Sequence, residues 1–156
     1  MVNKNIGISE DKMKHILEVA RECYKIAKNQ GYDEEFCERM FMLGWIHDVG
    51  YEFVEDSTKH GEASERLMKH IGVSNNDKSS AKALHCIRTH GHVVKTASPE
   101  CVILNTANMT VNSKGEHVSV YERLEDIKER YGENSSQYVS SCEVAEKCGL
   151  LTPQLA

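Results

Sequence analysis

The sequence predicts an all-α protein, a single domain built as a bundle of about seven helices. Three observations carry that expectation. Apolar residues recur at three- and four-residue spacing along most of the chain, and Ser, Asp, Pro and Gly stand where the periodic runs begin and end. No alternating apolar–polar run lasts beyond a few residues, so no strand is expected. No internal repeat, low-complexity segment or linker divides residues 1–156.

The elements follow in order. Ser9 caps a helix over roughly 10–29, in which Ile16, Val19, Ala20, Cys23, Ile26 and Ala27 form one apolar stripe, and Gly31 stops it. Asp33 caps a second over roughly 34–48, with Phe36, Met40 and Leu43 on its inner face. Residues 51–57 read as a loop, and a helix over roughly 60–70 carries Ala63, Leu67 and Ile71 before Gly72 ends it. Asn75-Asn76-Asp77 leads into a helix over roughly 78–90. Ser98-Pro99-Glu100 opens the next, with proline at the first helical position, and it runs to about 110. The polar segment 111–118 is a loop able to edge a site. Ser119 and Glu122 fit a capping box for a helix ending near Gly132, and a last helix over roughly 135–148 stops at Gly149.

Bulk properties narrow the function. The net charge of −5 with neutral histidines gives no electrostatic footprint for a nucleic-acid polymer. No stretch reaches membrane-spanning length and the first residues lead into no apolar signal core, so no membrane partner is expected and the expected location is cytoplasmic. The six cysteines form no C-x-x-C pair and read as reduced, mostly core residues.

His47-Asp48 is the most informative pair. It closes the apolar run Phe41-Met42-Leu43-Gly44-Trp45-Ile46, where ionisable groups should be buried. Burial of such groups is costly without compensation, and a metal ion is the usual compensation. Other imidazoles sit on inward faces too. His15 leads the stripe of Val19, Cys23 and Ile26; His60 begins that of Ala63, Leu67 and Ile71; His90 follows Ala83 and Ile87; and Asn108 lies in line with Cys101, Leu104 and Val111. His70, His85, His92 and His117 lie on mixed faces, past a helix end or in a loop, and are weaker candidates.

In order along the chain, His15, His47-Asp48, His60-Gly61, Ile87-Arg88-Thr89-His90 and Ala107-Asn108 resemble the motifs of the HD superfamily of metal-dependent phosphohydrolases. The spacing is most similar to the small single-domain branch that includes the bacterial diadenosine tetraphosphate hydrolases, and the likeness covers about residues 10–110. That resemblance implies an HD-type helical bundle with a metal-site core and C-terminal helices over roughly 118–148. It implies that His15, His47, Asp48 and residue 108 hold one divalent transition metal. Asp48, the catalytic carboxylate, would bridge to a second ion held by His60 and His90. Mixed imidazole and carboxylate ligands suit Fe, Mn, Ni, Co or Zn. The implied substrate is a nucleotide or other small phosphate ester attacked by metal-activated water, with self-association into a homodimer left open.

Two residues depart from the pattern. The family's last ligand is an aspartate, and Asn108 offers only an amide oxygen without charge. Tyr51 stands where many members have a lysine, so Lys59 and Arg88 are candidates for contacting substrate, with Arg66, Lys95 and Lys114 as further ones, and His92 is near enough to His90 to do so. Asn108 keeps a second reading open, a catalytically weakened protein that binds a nucleotide or a partner. A di-iron oxygenase is a third.

Overall fold

A computed structural model describes residues 9–48, 64–66, 68–69, 78–90 and 98–151. Among them six helices are bounded: α1 (Glu10–Asn29), α2 (Glu34–Ile46), α3 (Lys78–Thr89), α4 (Pro99–Asn108), α5 (Val120–Tyr131) and α6 (Ser136–Lys147). Residues 64–66 and 68–69 are helical as well, within the span where the sequence predicts a helix. Among the described residues there is no strand, only one isolated antiparallel bridge between Val111 and His117. The all-α expectation holds. His60, Lys59 and His92, together with the expected loop at 51–57, lie outside the described residues.

The helix starts are made by the residues the sequence singles out. Ser9, Asp33 and Ser98, and also Ser135, each accept a backbone N–H three residues further on. Ser119 and Glu122 make the reciprocal capping box. Each cap satisfies an otherwise orphaned donor and contributes about 1 kcal/mol. The predicted end of the second helix is revised: α2 stops at Ile46, with His47 as its cap and Asp48 in the following turn. The two site candidates are therefore carried just past the helix.

Helices α1 and α2 form the most extensive pair, and α4 packs against both of them and against α3. Their shared core contains Val19, Cys23, Met40, Leu43, Leu84, Ile87, Ile103 and Leu104, all buried. A second cluster of Met109, Val120, Leu124, Ile127, Val144 and Ala145 joins α5 and α6 to the end of α4. Gly44 makes the α1–α2 contact close. A Cβ there would stand 2.7 Å from Ala20 Cα and 3.0 Å from Ala20 N.

One expectation is corrected. Cys86 and Cys101 are paired as a disulfide between α3 and α4, with their Cα atoms 5.1 Å apart, where the sequence suggested reduced cysteines throughout. The helices face each other there, and no spacing motif encodes that meeting. Cys23, Cys37, Cys142 and Cys148 are free. Among the described residues no helix is long and apolar enough to cross a membrane.

Candidate metal centre

The core would be apolar throughout but for a few polar groups. His15, His47, Asp48 and His90 are at most 4% exposed. They come from three separate places: the second turn of α1, the end of α2, and the residue after α3.

Local structure orients each imidazole. The last turn of a helix leaves its carbonyls without amide partners. His47 folds back so that Nδ1 donates to Gly44 O at 2.5 Å. Likewise His90 Nδ1 donates to Ile87 O at 2.6 Å. His15 lies inside a helix, where the local carbonyls are taken. Its partner comes from 97 residues away: Nδ1 donates to Asn112 O at 2.9 Å. A carbonyl can only accept, so each of these rings carries a proton on Nδ1. In the neutral ring, Nε2 is then a bare lone pair.

All three Nε2 atoms face Asp48. His15 Nε2 and His47 Nε2 lie 3.4 and 3.2 Å from Oδ2, and His90 Nε2 lies 3.0 Å from Oδ1. Lone pairs set against a carboxylate repel unless a proton or a cation stands between them. Burial pushes the His15 pKa down; Asp48 pulls it back up, but less strongly, so the neutral ring is favoured. His47 Nε2 is sealed from solvent and makes no hydrogen bond, although Asp48 Oδ2 is within reach. His90 Nε2 and Asp48 Oδ1 are in hydrogen-bond geometry at 3.0 Å, but His47 Nε2 and Asp48 Oδ2 are near one another without being aimed at one another.

That is the arrangement of ligands aimed at a common centre. Donors about 2.1 Å from one ion lie roughly 3.0–3.4 Å apart at octahedral and tetrahedral angles, and the contacts to Asp48 fall in that interval. One donor atom each from His15, His47 and Asp48 lie within 4.8 Å of one another. Imidazoles locked by a hydrogen bond on the far nitrogen are the usual form of metal-bound histidine. The buried cluster therefore fits a metal ion on its own chemistry. The two oxygens of Asp48 are also divided, with Oδ2 toward His15 and His47 and Oδ1 toward His90.

The other sequence candidates are placed differently. Asn108 closes α4, and its Oδ1 is buried without a hydrogen-bond partner. Arg88 donates from Nη1 to Glu65 Oε1 at 2.8 Å and so ties the helical residues 64–66 to α3. Ser64 Oγ in the same stretch donates to His47 O at 3.3 Å. His85 and His117 are exposed, as their positions suggested.

Two parts of the site escape sequence reading. Lys12 Nζ lies 3.4 Å from Asp48 Oδ2. Its one signal is its place three residues before His15, on the same helix face. The other is the carbonyl of Asn112, held by a tight loop. Asn112 Oδ1 accepts from Lys114 N and Glu116 N, both at 2.9 Å, and Asn112 N donates to Glu116 O at 2.9 Å. Gly115 seats this loop on α1. Its φ is +80°, and a Cβ there would meet Lys14 C and Lys14 Cβ at 2.7 Å. Gly115→Ala is expected to lift the loop, detach Asn112 O from His15 and weaken Mn²⁺ binding roughly 10- to 100-fold, as loss of a ligand's supporting hydrogen bond does. Calorimetric titration of the metal into both proteins measures this, and equal affinities would remove the loop from the site.

Comparison with protein-family models, with curated proteins and with solved structures finds no match.

Proposed function

We propose that this chain is a metal-dependent phosphohydrolase acting on a nucleotide or another small phosphate ester. The observation that carries the reading is the convergence of three Nδ1-protonated imidazoles, from three separate elements, on the two oxygens of Asp48. The HD-superfamily resemblance supplies the reaction class.

His15, His47 and Asp48 Oδ2 would hold one divalent transition metal, Fe, Mn, Ni, Co or Zn. Asp48 Oδ1 and His90 would contribute to a second position, which His60 would complete. A divalent ion bound there lowers the pKa of a coordinated water toward neutrality and offsets charge on phosphoryl oxygens. The chain's own part is orientation and charge. Main-chain carbonyls fix the rings, Asp48 supplies the anionic charge, and the surrounding core keeps the local dielectric low. The substrate is a small phosphorylated molecule rather than a nucleic-acid polymer, since the chain carries a net charge of −5.

Asn108 favours a second reading, in which the centre binds a nucleotide with little turnover. An amide oxygen ligates a dication less strongly than a carboxylate, and here it is sealed without a partner. The test is metal stoichiometry by elemental analysis, together with hydrolysis of a nucleotide panel, for wild type and Asn108→Asp. The expected result is at least one transition metal per wild-type chain with measurable hydrolysis, and metal binding in the variant more than roughly 10-fold tighter, since a full charge is restored. Hydrolysis by Asn108→Asp alone makes the natural protein a binding form. Absence of transition metal from both proteins, with no uptake of added Mn²⁺, overturns the metal-dependent reading.

A further inference from the structure

We propose that Lys12 is the residue that contacts the phosphoryl group of the substrate, an inference that rests on the metal-dependent reading above. Lys12 stands three residues before His15 on α1, so the two side chains project from one face. Lys12 Nζ is 3.4 Å from Asp48 Oδ2, the oxygen that His15 Nε2 and His47 Nε2 also approach.

Burial sets Lys12 apart from its neighbours. Its side chain is 26% exposed, whereas those of Asp48, His15, His47 and His90 are 5% or less. Among the described residues Lys12 thus runs from solvent to the buried carboxylate and marks a side from which the cluster is reached. An anion arriving from that side meets the ammonium before it meets the imidazoles. A lysine has the chemistry for this contact. It carries a compact charge with three donors, on a flexible four-carbon stem that can turn from Asp48 to a phosphoryl oxygen. Of Lys59, Arg88 and His92, Arg88 is the one among the described residues, and its guanidinium is 2.8 Å from Glu65.

The same geometry separates this role from a scaffolding one. Lys12 and a metal ion are both cations directed at Asp48 Oδ2, so they compete for it. A lysine that merely positioned Asp48 would help metal binding. A lysine that serves the substrate would hinder metal binding slightly and favour anion binding strongly.

The experiment uses the full-length chain as wild type, Lys12→Met and Lys12→Arg. Mn²⁺ is titrated calorimetrically first, then inorganic phosphate is titrated into the Mn²⁺-loaded proteins. Lys12→Met is expected to bind Mn²⁺ as tightly as wild type or tighter, and to bind phosphate roughly 10- to 100-fold more weakly, the loss expected for one charge-assisted hydrogen bond. Lys12→Arg is expected to recover most of the phosphate affinity. Equal phosphate affinity in Lys12→Met and wild type overturns the proposal. So does a fall in Mn²⁺ affinity in Lys12→Met, which would make Lys12 a support for Asp48. Wild type that binds Mn²⁺ but not phosphate leaves the metal centre standing and overturns the Lys12 assignment alone; wild type that takes up no Mn²⁺ overturns both.

Discussion

Asp48→Asn is expected to bind Mn²⁺ more than about 100-fold more weakly than wild type, beyond the roughly 10- to 100-fold range seen when only a ligand's supporting partner is lost. Asparagine keeps the shape of the side chain and removes its charge, so the loss reports on the charge. Asp48 is 4% exposed and faces three imidazole nitrogens, each opposite a ring nitrogen that meets a main-chain carbonyl. His90 Nε2 is in hydrogen-bond geometry with Oδ1 at 3.0 Å, but in the metal-free protein the Oδ2 side is repulsive, since it meets His47 Nε2 without a hydrogen bond and the His15 ring that burial keeps neutral. An amide NH₂ in place of one oxygen would donate to a ring nitrogen and relieve it. The melting temperature of the variant in EDTA is therefore expected to equal or exceed that of wild type, by about 2–4 °C for each kcal/mol of repulsion removed. Metal affinity and metal-free stability should move in opposite directions, as at a site built for function rather than for stability. Mn²⁺ titration and thermal unfolding in EDTA measure the two. A variant that loses stability in EDTA as well would show that Asp48 is an ordinary buried partner of protonated histidines.

Gly44→Ala should lower the melting temperature by about 3–10 °C, the range expected from overpacking by about 1–3 kcal/mol. Two effects oppose each other. Alanine is the better helix former by about 1 kcal/mol, which on its own would stabilise α2. Against it, the new methyl would stand 2.7 Å from Ala20 Cα, 3.0 Å from Ala20 N and 3.2 Å from Cys23 Sγ. Two of those atoms are main chain and cannot turn aside, so α1 and α2 must separate. The steric effect should win. Separation also draws His15 on α1 away from His47 and Asp48, so Mn²⁺ affinity should fall with stability. Thermal unfolding followed by circular dichroism checks the first effect. A rise in melting temperature would mean that the helices part at no cost and that propensity decides.

Much of this centre is legible in the sequence because helix periodicity places side chains on faces. His15 falls in line with Val19 and Cys23 and is buried with them; His90 falls in line with Ile87 and is likewise buried. The caps are equally readable, since Ser9, Asp33, Ser98 and Ser119 each stand where a helix leaves donors unpaired. The end of α2 is less so. The apolar run continues through Ile46, and nothing in it announces that His47 will fold back onto Gly44 O. Lys12 has only its place before His15 to mark it, because the pull of Asp48 comes from beyond the end of α2. The Cys86–Cys101 pair depends on how α3 meets α4, and Arg88 on where Glu65 lies; both are facts of packing rather than of spacing. The carbonyl of Asn112 is the least legible of all, since every non-proline residue carries the same group.

The orienting partners of His15, His47 and His90 are all main-chain oxygens, from Asn112, Gly44 and Ile87. Deleting the side chain of Ile87 leaves its oxygen in place, and Gly44 has no side chain to delete. An alanine scan would therefore find the ligands and pass over what aims His90. It would reach the supports of His15 and His47 chiefly where alanine adds a methyl, at Gly115 and Gly44, or removes the Asn112 amide that holds the loop. A change that redirects the backbone itself, such as a methyl at Gly115, an insertion in the 112–117 loop or a proline near the end of α2 or α3, reaches that layer of the centre.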